Sequence, residues 1–316
     1  SSSIAAGKTR HFAAFSHKQS GNYTDQVPTD FKTYKGFYHG NIRMKDYRLE
    51  LQMGHLNKAF AANTFYSPYY SNQYEETSTN FAAITGKWEK NWHVTHKFYW
   101  RRHYDHFVLK REDPDFYQNY HQTNTLGGSL NAWKTTRLGK TAFGMQYRNE
   151  HLLSNNLGKP MSQPRAVPFA DDATYTKKAN RRDVSFFAEQ NTSWEGFHVS
   201  AGFLLNWNSM YPDKLRFYPG LDVSYRFSKM LHMYASLNRS LRLPTFTDLY
   251  YSGPNNIGNT DLQPEKSWTT ETGLKYFAQG LQMKVAAFHR RGRNIIDWLW
   301  LQDKEKWHTR NLTRLN

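Results

Sequence analysis

The sequence has 316 residues and no cysteine. That excludes a disulfide framework and cysteine-ligated metal sites. It does not fix a compartment, since a periplasm-exposed protein and a cytosolic one can both do without cysteine. Also missing is any run of the ~18 apolar residues that a membrane-crossing helix needs. Crossing by strands stays open, because a barrel strand takes only about 9–11 residues, half of them polar. No secretory leader is visible, as the opening Ser1, Ser2, Ser3, Ile4, Ala5, Ala6 and Gly7 lack an apolar core. Either a leader has been removed or the chain begins inside a larger protein, and the second is the expectation. Neither Gly-x-Ser-x-Gly nor His-Glu-x-x-His occurs, so an outer-membrane barrel enzyme finds no familiar nucleophile or zinc motif here.

What is present is basic and aromatic. Lysine and arginine number 42 against 26 acidic residues, a formal net charge of +16. Such a balance raises nucleic acid as a partner. The cations, however, are spread along the whole chain and form no arm or helix face, so no nucleic-acid partner is expected. Pairs such as Lys177 with Lys178, Arg181 with Arg182 and Arg290 with Arg291 are placed at predicted strand edges. Basic rims suit the phosphates of lipopolysaccharide or an anionic ligand, and a solvated basic surface is the plainer alternative. Mean hydropathy is −0.84, yet 16% of residues are aromatic, with 10 Trp, 21 Tyr and 21 Phe. A polar average rich in rings fits a wall with lipid on one face and water on the other.

Period-2 alternation dominates. Tyr47, Leu49, Leu51 and Met53 share one face against Arg48, Glu50, Gln52 and Gly54. The stretches 197–203, 221–227 and 231–238 alternate likewise, and helical spacing of three and four is missing from them. Short polar links, including Lys45 and Asp46, Glu195 and Gly196, and Gln279 and Gly280, join the strands in pairs. Between pairs lie longer segments rich in Asn, Pro, Ser, Tyr and Asp: 21–33, 57–73, 105–119, 153–180 and 244–266, with 209–214 a short exception. Sorted loop lengths place all short turns on one rim and all long loops on the other, as in an outer-membrane barrel. A soluble sandwich has no reason to sort them. Trp88, Trp92, Tyr99, Trp100, Trp133, Trp194, Trp207, Phe217 and Tyr218 are expected near strand ends, where lipid–water girdles place aromatic rings. The fold expected is an all-β, antiparallel transmembrane β-barrel, forming one domain over 1–316. About thirteen strands are counted from Lys8 to Asn294, an odd number that closes no bacterial single-chain barrel. The segment from Trp307 reads as the approach to another strand. The whole barrel is therefore expected to be larger than this chain.

One ordered set of residues is more specific. Arg239, Ser240, Leu241, Arg242, Leu243, Pro244, Thr245, Phe246, Thr247, Asp248, Leu249 and Tyr250 are followed by Gly258, Asn259, Thr260, Asp261, Leu262, Gln263, Pro264 and Glu265, then Glu271, Thr272 and Gly273. This resembles the barrel signature of TonB-dependent outer-membrane receptors, in which a strand ends in Arg and Pro, a Tyr-bearing loop follows, and a Gly-Asn-Pro-x-Leu-x-Pro-Glu element leads into a strand with Glu-x-Gly. Thr260 stands where that pattern usually has Pro. The sharp match covers 236–297, and its style is nearest to vitamin B12 receptors, with ferric siderophore and haem receptors as rivals. The resemblance implies a barrel of about 22 strands in the outer membrane of a Gram-negative bacterium, with a plug in its lumen. It also implies import of a scarce nutrient with energy from TonB, relayed through an N-terminal box, and a surface lipoprotein as a candidate partner. The plug and box are not found in this sequence, which is expected to be the central part of the barrel.

Nothing catalytic is needed in such a receptor, and no cofactor is required. Ligand contacts are expected from loop aromatics and amides: Phe65, Tyr66, Tyr69 and Tyr70; Phe116, Tyr117 and Tyr120; and Phe246, Tyr250, Tyr251, Asn255 and Asn256. Haem draws attention to His103 and His106, though a hydrogen-bonded histidine is the default. Asp113, Asp115, Asp171 and Asp172 are carboxylates that an outer-loop Ca²⁺ would use, without a recognisable ligand spacing. A passive porin is the remaining alternative from another class, and its conductance would show in a planar bilayer.

Overall fold

A computed structural model describes residues 1–65 and 69–315. Its strands in chain order are β1 (Ser2–Ala6), β2 (Thr9–Ser20), β3 (Phe31–Arg43), β4 (Tyr47–Asn63), β5 (Gln73–Glu89), β6 (His93–Val108), β7 (Gln118–Thr136), β8 (Gly139–Ser154), β9 (Lys159–Ala166), β10 (Thr174–Trp194), β11 (Phe197–Asn208), β12 (Arg216–Arg226), β13 (Leu231–Arg242), β14 (Asn256–Ile257), β15 (Glu265–Ala278), β16 (Leu281–Leu301) and β17 (Lys306–Leu315). The only α-helix among the described residues is the short α1 (Phe246–Tyr250). The expected all-β, antiparallel class is what forms, and β17 occupies the segment read as an approaching strand.

Two compact units divide the chain. The first takes in Ser1–Lys90, Thr95–Ser129 and Arg148–Arg182, the second Asn91–Val94, Leu130–Tyr147 and Asp183–Asn316. In the first, β1 to β5 pair antiparallel in chain order. In the second, β10 to β13 pair in order and continue to β15, β16 and β17. A parallel contact sets Asn256 and Ile257 against Trp307 and His308.

Alternation has the expected consequence for exposure. Leu51 lies opposite Ile84, and Met233, Leu274 and Val285 lie opposite one another across three strands. All of these are exposed. Phe143, Met145 and Tyr147 on β8, and Leu281, Met283 and Val285 on β16, stand at alternate positions, so each set shares one face, and all of them are exposed. A soluble protein rarely leaves such a band in water, and a barrel wall turns it to lipid. At the short turns the rings gather. In the second unit Trp194 stacks on Phe197 at 5.5 Å, Phe197 lies 4.4 Å from Tyr225, and Tyr225 lies 4.7 Å from Phe227. In the first unit Tyr47 lies 6.5 Å from Trp88. Glu195 and Gly196 both take positive φ, 43° and 89°, as a two-residue hairpin turn requires.

The structure corrects several expectations. The strands run further into the long segments, so those connections shrink to 21–30, 64–72, 109–117, 155–173 and 243–264. Inside the last two lie β9, β14 and α1, which the alternation did not signal. Tyr99 and Trp100 sit in the middle of β6 rather than at its end. The pairs at 177–178, 181–182 and 290–291 lie within β10 and β16 instead of at strand edges.

Candidate functional site

The family-like motif folds as a clamp in the second unit. β13 stops at Arg242 ahead of Pro244, whose ring lacks an N–H and fixes φ. Thr245 then caps α1. Its hydroxyl accepts from the Asp248 amide at 3.0 Å, and the Asp248 carboxylate accepts from the Thr245 amide at 2.9 Å, a reciprocal capping box. The turn buries Asp248 and points it at Arg242, whose guanidinium lies 3.2 Å from it and 2.5 Å from Glu265. Glu265 is also buried and accepts the Ile296 amide at 2.9 Å. Two buried carboxylates thus share one cation and several N–H donors, the arrangement that makes buried charge tolerable.

Around this clamp the rest of the motif is packing. Leu249, Leu262 and Ile296 form a small core with Met210 and Tyr250 against it. The Asp248 carbonyl accepts from the Thr309 hydroxyl at 2.8 Å and the Asn259 amide at 2.9 Å, and Tyr211 donates to the Leu262 carbonyl at 2.6 Å. Gly258 passes so close that a Cβ there would stand 2.8 Å from the Tyr250 nitrogen and 2.9 Å from the Asp248 oxygen. Pro264 is buried beside Glu265. Further along β15, Gly273 leaves room for the ring of Tyr234, whose hydroxyl donates to Glu271 at 2.6 Å. Arg242, Pro244, Asp248, Leu249, Gly258, Asn259, Leu262, Glu265, Glu271 and Gly273 therefore build the loop and its adjoining strand.

The ligand candidates fall into two groups, one in each unit. In the second unit Phe246 and Tyr250 lie 6.4 Å apart, and Tyr250 is half-buried on the Leu249 core. Tyr251 meets Trp298 edge-on at 6.5 Å. The Asn255 carbonyl accepts from the Trp307 amide at 2.8 Å, which ties this loop to β17.

In the first unit Tyr70 and Phe116 come together at 6.0 Å, with the Lys110 ammonium 3.6 Å from the Phe116 ring centre and 5.7 Å from that of Tyr70. Tyr69 and Phe65 are largely exposed, and Tyr66 lies outside the described residues. Tyr117 is held differently: its hydroxyl accepts from Asn156 at 2.8 Å and from Asn119 at 3.2 Å. Tyr120 stacks on His106 at 4.2 Å and packs against Leu153, Val167 and Tyr175. His106 meets Gln118 at 3.0 Å and His103 meets Thr79 at 2.8 Å, so each has a polar partner.

Sequence reasoning missed the residue that joins these loops. Arg111 donates to Asp30 at 2.7 Å, lies 4.2 Å from the Tyr74 ring, and gives its own amide to the Asn72 carbonyl at 2.9 Å. Segments 21–30, 64–72 and 109–117 are stapled at that point. The Arg111 hydrogen bond holds the Asp30 carboxyl below its ordinary range despite partial burial, and Asp30 in turn raises Arg111. No local pattern could have revealed a partner so distant in the chain. Asp113 and Asp115 lie at 109–117, and Asp171 and Asp172 at 155–173. Among the described residues, no three His, Asp or Glu side chains gather closely enough to hold a metal ion.

Antiparallel strands with an exposed apolar band on one face, rings at the short turns and long loops opposite define the wall of a transmembrane β-barrel. The family described as "TonB dependent receptor-like, beta-barrel" matches residues 7–305, and the chain belongs to it. Barrels of that family reside in the outer membrane of Gram-negative bacteria, and the family is one of transport receptors. A curated relative is the vitamin B12 transporter BtuB of Vibrio vulnificus, 31% identical over 71 residues, which are 22% of this chain and 11% of that protein. Among solved structures, the ferric enterobactin receptor PfeA of Pseudomonas aeruginosa matches with a TM-score of 0.72 at 13% identity, over 98% of this chain and 54% of that one. The Serratia marcescens hemophore receptor HasR, solved with its hemophore HasA and heme, matches with a TM-score of 0.76 at 15% identity, over 99% of this chain and 56% of that one. The chain thus spans about half the length of these structures, and identities so low speak to the fold alone.

Proposed function

We propose that this chain is part of an outer-membrane receptor that binds a scarce nutrient at the extracellular face and imports it with energy from TonB. The observation that carries the reading is membership of the receptor family together with aromatic-rich long loops sorted to one end of the strands. Rings give contact area at low entropic cost, and Tyr adds a hydrogen bond, so loops of this kind suit a bulky ligand. Tyr69, Tyr70, Tyr117, Phe246, Tyr250, Tyr251 and Asn255 are the contacts to test, and a surface lipoprotein is a further candidate partner.

Cobalamin is the first nutrient to try. Its support is the stretch 31% identical to a protein named as a vitamin B12 transporter, together with the style of the motif. Calorimetric titration of cobalamin into the detergent-solubilised receptor tests it. Binding in the nanomolar range, about −12 kcal/mol, is expected. No heat with cobalamin, but binding of a ferric siderophore or haem, would remove the vitamin and keep the receptor. Nutrient accumulation unchanged in cells lacking TonB would overturn active import.

A further inference from the structure

The apolar band of the second unit gives way to cations toward the long-loop end. Across β13, β15 and β16 the register sets Met233, Leu274 and Val285 in one row and Leu237, Thr270 and His289 in another. The next row is Arg239, Trp268 and Arg291, and the one after it Leu241, Lys266 and Arg293. Residues directly opposite one another in antiparallel strands share a face. Arg239, Lys266, Arg291 and Arg293 therefore stand on the face that carries Met233, Leu274 and Val285, further toward the long-loop end of the same strands. Trp268, 40% exposed, sits among them with the Arg239 guanidinium 5.8 Å from its ring.

Carboxylates are kept off this patch. Glu265 and Glu271 have the opposite parity on β15 and are engaged there by Arg242 and Tyr234. Asp297 is further along β16, opposite Arg310. Lys266 and Arg293 face each other directly, a placement that by itself destabilises a sheet. Folding has no use for that repulsion, whereas an anion between them would relieve it.

We propose that this patch seats the phosphate of an outer-leaflet glycolipid of the lipopolysaccharide kind, with its acyl chains lying along the apolar band. The inference rests on the barrel reading, which turns this face to lipid, and is independent of the nutrient. Neighbouring strands are about 5 Å apart, so cations from two of them reach one phosphate, and a guanidinium binds it through two N–H groups. Trp268 stands at the level where an amphipathic ring marks the lipid–water boundary.

The test compares the whole receptor with its Lys266→Gln/Arg291→Gln/Arg293→Gln variant, both purified in detergent and checked for the folded, heat-modifiable form. Native mass spectrometry reads retained lipid on titration with phosphorylated lipid A and with the same lipid dephosphorylated. Wild type should prefer the phosphorylated form, and the triple variant should lose that preference on the order of a hundredfold, about fivefold per cation. Cobalamin binding is measured in parallel, so a wrong nutrient and a wrong lipid site give different results. Equal retention by variant and wild type would overturn the proposal. So would equal binding of both lipids, which leaves only apolar contact, or displacement by millimolar inorganic phosphate, which makes it a free-anion site. Should the triple variant not fold, Arg291→Gln alone carries the same test at about a fivefold loss.

Discussion

Arg242 at the end of β13 and Glu265 at the start of β15 meet at 2.5 Å, and the same guanidinium reaches Asp248 on α1. One cation thus closes a strand end, a helical turn and the next strand's beginning into a unit. Arg242→Ala strands two buried carboxylates. The Arg242 side chain is itself 47% exposed, so solvent screens part of the loss, and a cost of about 2 kcal/mol is expected. Limited proteolysis of 243–264 in the folded receptor should accelerate. An unchanged cleavage rate would count against the clamp.

Gly258 supplies a sharper steric test. A Cβ there would press on backbone atoms of Asp248, Leu249 and Tyr250, none of which can rotate away, while one at Gly36 would meet nothing within 4 Å. Gly258→Ala should destabilise by roughly 1–3 kcal/mol and weaken ligand binding, and Gly36→Ala should do neither. Thermal unfolding of the two variants side by side decides it.

The Asp30–Arg111 staple gives a pH dependence. Asp30 titrates lower when folded than its ordinary 3.8, so its contribution is fully present above that value and fades as pH falls through the lowered folded pKa. Arg111 stays charged throughout and adds no slope. Both groups are partly exposed, so about 0.5–1 kcal/mol is at stake. Hydrogen exchange in 21–30 and 109–117 should be protected at neutral pH and lose protection only below the ordinary aspartate range. Asp30→Asn should show the weakened protection at every pH.

Leu274 and Ser236 probe the two faces. Leu274 lies in the exposed apolar row, whereas Ser236 faces Glu271 on the polar side. Leu274→Lys should cost about 2–4 kcal/mol in folding into vesicles if its depth is near the midplane, and Ser236→Lys should be tolerated. Equal effects of the two would remove the lipid-facing assignment.

Legibility followed the solvent. Thirteen main strands were readable because lipid on one face and water on the other write a period of two into the side chains. That period disappears from 73–80 and 174–183, polar stretches that begin β5 and β10. There the buried face itself carries polar residues, Gln73 and Glu75 on β5 and Arg181 beside Tyr175 and Ala179 on β10, so composition no longer distinguishes the two faces, while the backbone ladder continues. β9 and β14 escaped notice for the same reason. The motif was recognisable as an ordered set, but nothing local showed that Arg242 serves Asp248 and Glu265 together.

Strand class, the sorting of turns from loops and the family were all legible without coordinates, because each is written in local periodicity or in a contiguous run of residues. Tertiary structure alone decided that Arg111 staples three loops, that Tyr70 and Phe116 share one ammonium, and that Lys266 faces Arg293. Those are relations across a ladder or between distant loops. They depend on register and on close approach in space, which no window of sequence contains.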